Sequence, residues 1–315
     1  MIVCMGLMAC DILASPVDHQ IMTRDSTKAG SIQMLPGGDA LNVAVALGRY
    51  EEDVALVGCV GDDAFGRYIT AVAKEESVNT KYIRIDSDVS TATCLVLIET
   101  DGERHFVDGG ESNRILVPSD LSDELLQAGG HLHIASAGKL ESLEGMALAQ
   151  VLCRAKEAGM TTSLDMSFGR RINNALTIIE PAFPYLDIFL PSDYEAAELC
   201  GSKEISVIRE FFAQYALPIL CLKRGKLGIY ATDYREDIYM PPLAEHPPVD
   251  TTGAGDTFCA GFLKAFKMGS PLKDCVLLGS ASSAKCINSV GATAGICSWQ
   301  ETMQYALRRK QELSL

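Results

Sequence analysis

From about Gly129 onward, short apolar runs alternate with segments of helical spacing, and this alternation restricts the chain more than any other feature of its 315 residues. "HLHIASA" (131–137) reads as a strand. Ser142 stands as cap before "LEGMALAQVLCRAKEA", whose apolar positions recur at helical spacing and which stops at Gly159. "TTSLDM" (161–166) and "DIFLP" (187–191) are strand-like, and "SDYEAAELCG" is a short helix capped by Ser192 or Asp193 and ended by Gly201. "PILCLKRG" (218–225) and "LGIYATD" (227–233) read as consecutive strands. Helical patterns cover Asp256–Met268 and Leu272–Ser289, and "WQETMQYALRRKQEL" closes the chain as a helix with an exposed face. Strands alternating with helices predict an α/β fold, a mostly parallel central sheet covered on both faces.

The first third differs. "ILASPVDH", "GSIQML" and "VSTATCLVLIETDGERHFVDGG" are β-rich without intervening helices, and "TDGER" (100–104) carries an Asp-Gly hairpin signal. Two insertions, about 12–36 and 85–112, are expected to pair into a small β-sheet that serves as a lid or as a dimer surface. The whole of 1–315 then reads as one domain with these lid segments.

Composition narrows the function classes. The net charge of −14 repels a polyanion such as nucleic acid. Eleven cysteines are scattered singly, which reads as reduced thiols in a cytoplasmic protein and not as a disulfide frame or zinc site. The opening "MIVCMGLMACDILASP" lacks a basic start and carries Asp11, so it reads as a first buried strand and not as a signal peptide, with Met1, Met5 and Met8 as core. No apolar run is long enough for a membrane span.

Two glycine turns carry the chemistry. In "VDTTGAGDTFCAGFLKAF" (249–266), Gly253, Ala254 and Gly255 open a helix with Asp256 just inside it. Unpaired amides at such a helix start favour an anion, and glycines let the backbone approach it closely. A carboxylate beside an anion site makes sense when an alcohol lies between them: Asp256 accepts the hydroxyl proton while the amides hold the phosphoryl group under attack. A plain helix cap after a tight turn uses the same residue types, and the two readings stand side by side at this point. There is no GxxxxGK[ST] loop. "PGGDALNVAVALGRY" (36–50) again opens a helix with glycines, followed by Asp39 and Asn42. Short polar side chains beside exposed backbone suit a polyhydroxylated ligand; a turn plus cap is the alternative. His131 and His133 share a strand face, but with no third ligand nearby they read as packing.

Taken in order, Gly37–Asn42, "VGCVGDDAFG" (57–66) and "DTTGAGDTFCAGFL" (250–263) resemble the motifs of the PfkB/ribokinase family of carbohydrate and nucleoside kinases, over nearly the full length. The resemblance implies a ribokinase-like fold with a β lid that often joins subunits, ATP and Mg2+ as cofactors, and roles position by position. Asp256 is then the base, with the amides of Gly253, Ala254 and Gly255 as anion hole. Asp11, at the end of the first strand, matches the sugar-hydroxyl acceptor, and Gly37, Gly38, Asp39 and Asn42 the sugar-contacting turn. Lys223, Gly225 and Gly228 in "KRGKLG" match the segment that passes the nucleotide, and Ser280 and Ser283 lie where the family flanks adenine. Glu195 in "SDYE" matches the magnesium motif, acting through water. Asp250 and Thr252 match positions that often bind a monovalent cation such as K+.

The sequence departs from the family pattern in places. Ser192 replaces the Asn of the magnesium motif, and Asp39 stands where ribokinases proper carry Lys. "DMSFGRR" (165–171) is only loosely similar to the Asp-Pro-Asn-x-Arg element, so Arg170 and Arg171 read either as anion contacts or as solvated surface. The resulting expectation is an ATP-dependent phosphotransferase acting on a primary hydroxyl of a small sugar. Asp11 and Asp39, with no Lys or Arg in their turns, argue for an uncharged acceptor of ribose or fructose type. The alternatives are a nucleoside kinase of the same family, with Phe106, Ile12 and Met34 as apolar wall, and a non-catalytic sugar sensor.

Overall fold

The computed structural model describes residues 1–168 and 174–315. The N-terminal part runs β1 (Ile2–Gly6), β2 (Ala9–Val17), β3 (Ser31–Gly37), α1 (Asp39–Arg49), β4 (Val54–Gly61), α2 (Ala64–Glu75), β5 (Ile83–Asp86), β6 (Thr93–Glu99) and β7 (Arg104–Gly109). The middle holds α3 (Asp123–Ala128), β8 (His131–Ala137), α4 (Met146–Glu157), β9 (Thr161–Met166), α5 (Ala175–Ile179), β10 (Ile188–Phe189), α6 (Asp193–Cys200) and α7 (Ile205–Ala213). The end holds β11 (Ile219–Lys223), β12 (Ile229–Thr232), β13 (Asp237–Met240), α8 (Ala254–Lys267), α9 (Leu272–Cys286) and α10 (Trp299–Glu312).

Nine strands form the main sheet in the order β13-β12-β11-β10-β9-β8-β1-β4-β5. From β5 to β11 neighbours are parallel, and β12 and β13 add an antiparallel edge. Every residue of β1 and β8 is buried, as a sheet covered on both faces requires. One face packs Leu41, Val45, Phe258, Phe262 and Val276 from α1, α8 and α9; the other packs Leu125, Leu148, Leu152 and Phe212 from α3, α4 and α7. His131 and His133 belong to this core. His131 bonds Thr161 and Ser163, His133 bonds Ser163, and burial holds both rings below the usual imidazole range.

The second sheet, β3-β2-β6-β7, is the small β-sheet expected from the two insertions. Its bounds differ from the sequence expectation. Its strands begin at Ala9 and at Thr93, while Ile83–Asp86 pairs with β4 in the main sheet. The opening apolar stretch is two strands, not one: β1 stops at Gly6, and the chain turns into the lid. Asp11 therefore lies in β2, opposite Leu35 and Cys94, and not at the end of the first strand. The apolar run could not reveal this break, because β2 opens on Ala9 and Cys10, buried and apolar like β1. Strand alternation puts Asp11, Leu13, Leu35, Val96 and Phe106 on the face toward a cavity, and Ile12 and Met34 on the opposite one. Of the three apolar wall residues expected from sequence, only Phe106 faces the cavity. Ser142 also misses its expected role: it sits in the short 3-10 turn Glu141–Leu143, and α4 starts after Gly145.

The strand order reverses between β1 and β8, the place where open α/β sheets collect ligands at their carboxyl ends. α1 begins there, and the lid rises from it.

Candidate active site

The turn before α8 depends on Gly253, whose φ is +75°; a Cβ there would also lie 2.4 Å from the Ala292 carbonyl oxygen. With the chain turned this way, the amides of Gly253, Gly255 and Asp256 have no partner among the described residues, while the Ala254 amide donates to the Thr251 carbonyl at 3.2 Å. The turn thus offers an open set of donors at a helix N-terminus, with Ala254 engaged in holding it.

Asp256 sits on the first turn of α8, buried, and its Oδ2 accepts a hydrogen bond from Asn42 Nδ2 at 2.7 Å. Burial, and after it the neighbouring carboxylate of Asp39, push Asp256 well above the usual carboxylate range; the Asn42 bond opposes them. Asn42 thus orients the carboxylate, a contact the sequence reading did not foresee. On the same helix, Asp39 Oδ2 accepts from Ser136 Oγ at 2.5 Å. Ser136 holds a left-handed φ of 66° at the end of β8. Gly38 precedes α1 at φ +91°, its would-be Cβ 2.6 Å from the Leu7 carbonyl oxygen, and Gly37 packs directly on the Asp11 carboxylate. Burial, then Asp108 and Asp39, raise Asp11 to about 6, against the pull of Lys139.

Two cavities flank this turn. The first, of about 150 Å³, is lined by Lys223, Gly225, Gly228, Ala254, Gly255, Ser280 and Ser283. All the residues expected from sequence to meet a nucleotide are thus together. Ile229, Phe258, Ile287 and the 241–244 run Pro-Pro-Leu-Ala complete its apolar wall, and nothing in their spacing announced them. The second cavity, about 60 Å³, lies beneath the lid and is lined by Asp11, Leu13, Leu35, Val96, Arg104, Phe106, Asp250 and Thr252, among others. The turns at Asp11 and Asp39 carry no base, yet the lid brings one in. Arg104 Nη1 donates to Asp250 Oδ1 at 3.0 Å and to Thr252 Oγ1 at 3.3 Å.

Asp250 is fully engaged. Its Oδ1 also accepts from the Thr252 amide and hydroxyl, and its Oδ2 from the Gly291 amide at 2.9 Å. Burial pushes this carboxyl up, but the bonds from Gly291, Thr252 and Arg104 outweigh it and hold it below the usual range. A monovalent cation at the Asp250 and Thr252 side chains has to compete with the Arg104 guanidinium.

Glu195 is bound into the start of α6. Its Oε2 accepts from the Ser192 amide at 2.7 Å and the Ser192 hydroxyl at 2.8 Å, and Ser192 Oγ in turn accepts from the Glu195 amide. The Ser in place of the expected Asn therefore makes a capping box and leaves Oε1 open. Lys223, at the end of β11, pairs with Asp165 and lies near Cys259. Asp165 was visible in "DMSFGRR" but unassigned; Arg170 and Arg171 of that stretch lie outside the described residues.

Comparison with known proteins fits this geometry. The family profile described as pfkB family carbohydrate kinase matches residues 1–299. A fructokinase of Klebsiella pneumoniae is 31% identical over 241 residues, covering 74% of this chain and 78% of that protein. The structure of Arabidopsis thaliana ribokinase complexed with ribose and ATP superposes with a TM-score of 0.83 at 23% identity, over 97% of this chain and 98% of that one. A double-mutant fructokinase of Vibrio cholerae in its fructose-, ADP- and potassium-bound form gives 0.81 at 21% identity, over 97% of each chain. The fold is that of the ribokinases, and the chain belongs to the pfkB family of carbohydrate kinases: it is a sugar kinase.

Proposed function

We propose that this sugar kinase transfers the γ-phosphoryl group of ATP to a primary hydroxyl of a small uncharged sugar of fructose or ribose type. The observation that carries the reading is that one turn borders both cavities. Ala254 and Gly255 line the first, Asp250 and Thr252 line the second, and Asp256 follows directly. The donor nucleotide belongs in the first cavity, its phosphates against the open amides of Gly253, Gly255 and Asp256. The acceptor belongs under the lid, its hydroxyls held by Asp11, Asp39 and Asn42. Asp256, raised above the usual carboxylate range by burial and aimed by Asn42, takes the acceptor's proton as its oxygen attacks phosphorus. Lid strands β2, β6 and β7 exclude water from the transfer.

Magnesium, when bound, neutralises and orients the nucleotide phosphates. Glu195, whose Oε1 has no hydrogen bond among the described residues, would hold it through water. The sugar reading is preferred over the nucleoside one because Phe106 is the sole aromatic ring lining the lid cavity among the described residues. Arg104 does not overturn the uncharged acceptor, because its charge is met by Asp250. The test is sugar-dependent ADP release, as kcat/KM for fructose, ribose and a nucleoside against fructose 6-phosphate and an acidic sugar. Preference for either anionic acceptor refutes the charge argument, and preference for the nucleoside refutes the sugar reading.

A further inference from the structure

We propose that Lys223 is a catalytic residue, whose ammonium contacts the phosphoryl group in flight and completes the anion hole; this rests on the kinase reading above. Lys223 is the only ionisable side chain among the described residues that line the nucleotide cavity. A triphosphate brought into a chain of net charge −14 needs a cation at its phosphates, and the wall otherwise offers only glycines, serines and apolar groups. The position of the ammonium is specific. Nζ lies 3.3 Å from where a Cβ on Gly255 would stand, so the charge rests against the very turn whose amides are open.

Its surroundings hold it there. The Lys223 amide donates to the Pro191 carbonyl at 3.0 Å, fixing the end of β11 beside Ser192. Its side chain is 14% exposed and ion-paired to Asp165, which is 4% exposed. Burial alone would lower the ammonium's pKa, but Asp165, Cys259 and Glu195 outweigh burial and keep it charged. Asp165 is thus a positioning residue. In the step itself the acceptor oxygen forms a bond to phosphorus and the bond from phosphorus to the bridging oxygen of ADP breaks. The electron pair of that bond leaves with ADP, and the acceptor's proton goes to Asp256. Negative charge on the transferring oxygens lies between the open amides and the Lys223 ammonium.

Two variants separate this from a purely structural ion pair. Lys223→Gln keeps a donor toward Asp165, and Lys223→Met with Asp165→Asn removes both charges together. Each is followed by thermal unfolding, steady-state kinetics, and calorimetric titration with ATP and with adenosine. The expected result, in whichever variant unfolds near the wild-type temperature, is a kcat lower by about 10²–10³-fold with acceptor KM unmoved. ATP affinity should fall at least tenfold while adenosine affinity holds. Wild-type kcat in either variant, or equal losses for ATP and adenosine, overturns the proposal. A wild-type chain that releases no ADP with any acceptor refutes the kinase reading instead, and the ATP-against-adenosine titration still decides whether Lys223 meets phosphate.

Discussion

Asn42→Ala removes the one side-chain donor to the Asp256 carboxylate among the described residues, a bond of 2.7 Å. The groups facing that carboxylate are Asn42 and Asp39 on α1, Asp165 on β9 and Lys223 on β11. Burial and the two carboxylates favour the protonated form; Asn42 and Lys223 oppose it. A hydrogen bond to a charged group is worth about 1.5–3 kcal/mol. Losing it lifts the Asp256 carboxyl further above its ordinary range. The base acts only when ionised, so the acid limb of the kcat profile moves to higher pH. The loss in kcat should be largest at the acid end of the profile, about tenfold or more there, and should shrink as pH rises. The assay is ADP release at saturating sugar and ATP across pH 5.5–9.5, with thermal unfolding at each pH to confirm the fold. An equal loss at every pH, with the limb unmoved, would refute the idea that Asn42 tunes the base and leave it only a substrate contact.

Four further outcomes are expected. Gly253→Ala should lower the unfolding temperature, because the left-handed turn costs about 1–2 kcal/mol and the new Cβ meets the Ala292 carbonyl. Gly255→Ala, whose Cβ meets only the tip of Lys223, should unfold as wild type and lose kcat; the reverse pattern would reverse the two roles. Asp11→Asn should stabilise the ligand-free protein at pH 7.5 by about 2–3 kcal/mol, because a carboxyl raised to about 6 favours the folded state only below its unfolded value near 4 and loses that contribution as pH rises through 6. Calorimetry at pH 4 should show the gain gone, and acceptor KM should rise strongly; an unchanged melting temperature at pH 7.5 would show that Asp11 is not desolvated. Arg104→Ala should raise acceptor KM, leave the ATP KM unmoved and make turnover responsive to added potassium, while the wild type stays indifferent; strong potassium activation of the wild type would mean that the ion displaces the guanidinium from Asp250.

Local patterns reported local structure well. The helix starts at Gly38 and Gly253, the β8-to-β11 alternation and the capping Ser192 all lie within a few residues of their signals. Of the residues lining the first cavity, Gly225, Gly228, Ala254 and Gly255 sit on turns that the sequence marks, while Ile229, Ile287 and the 241–244 run carry no such mark. What sequence could not give were contacts made across long separations. Arg104 meets Asp250 over 146 positions, Asn42 meets Asp256 over 214, and Lys223 meets Asp165 over 58. The break after Gly6 was hidden because Ala9 and Cys10, which open the lid strand, are as buried and apolar as β1. The inward or outward sense of Ile12 and Met34 depends on register, which a β-rich stretch alone leaves open.

The lid's construction bears on how acceptor preference can change. Its cavity-facing side chains come from two continuous pieces of chain, residues 9–37 and 93–109, that leave and rejoin the main sheet near Gly6, Gly37 and Gly109. The groups proposed to handle phosphate, on the α8 turn and at Lys223, belong to neither piece, and Asp39 and Asn42 on α1 also stand outside both. On the proposed reading, selection can therefore retune acceptor preference by rewriting these two stretches as a cassette, with the transfer apparatus left alone. The exchange has one fixed term: whatever replaces β7 has to keep a cation beside Asp250, a guanidinium at position 104 or a bound potassium ion in its place, or Asp250 is left buried beside the turn without a cationic partner.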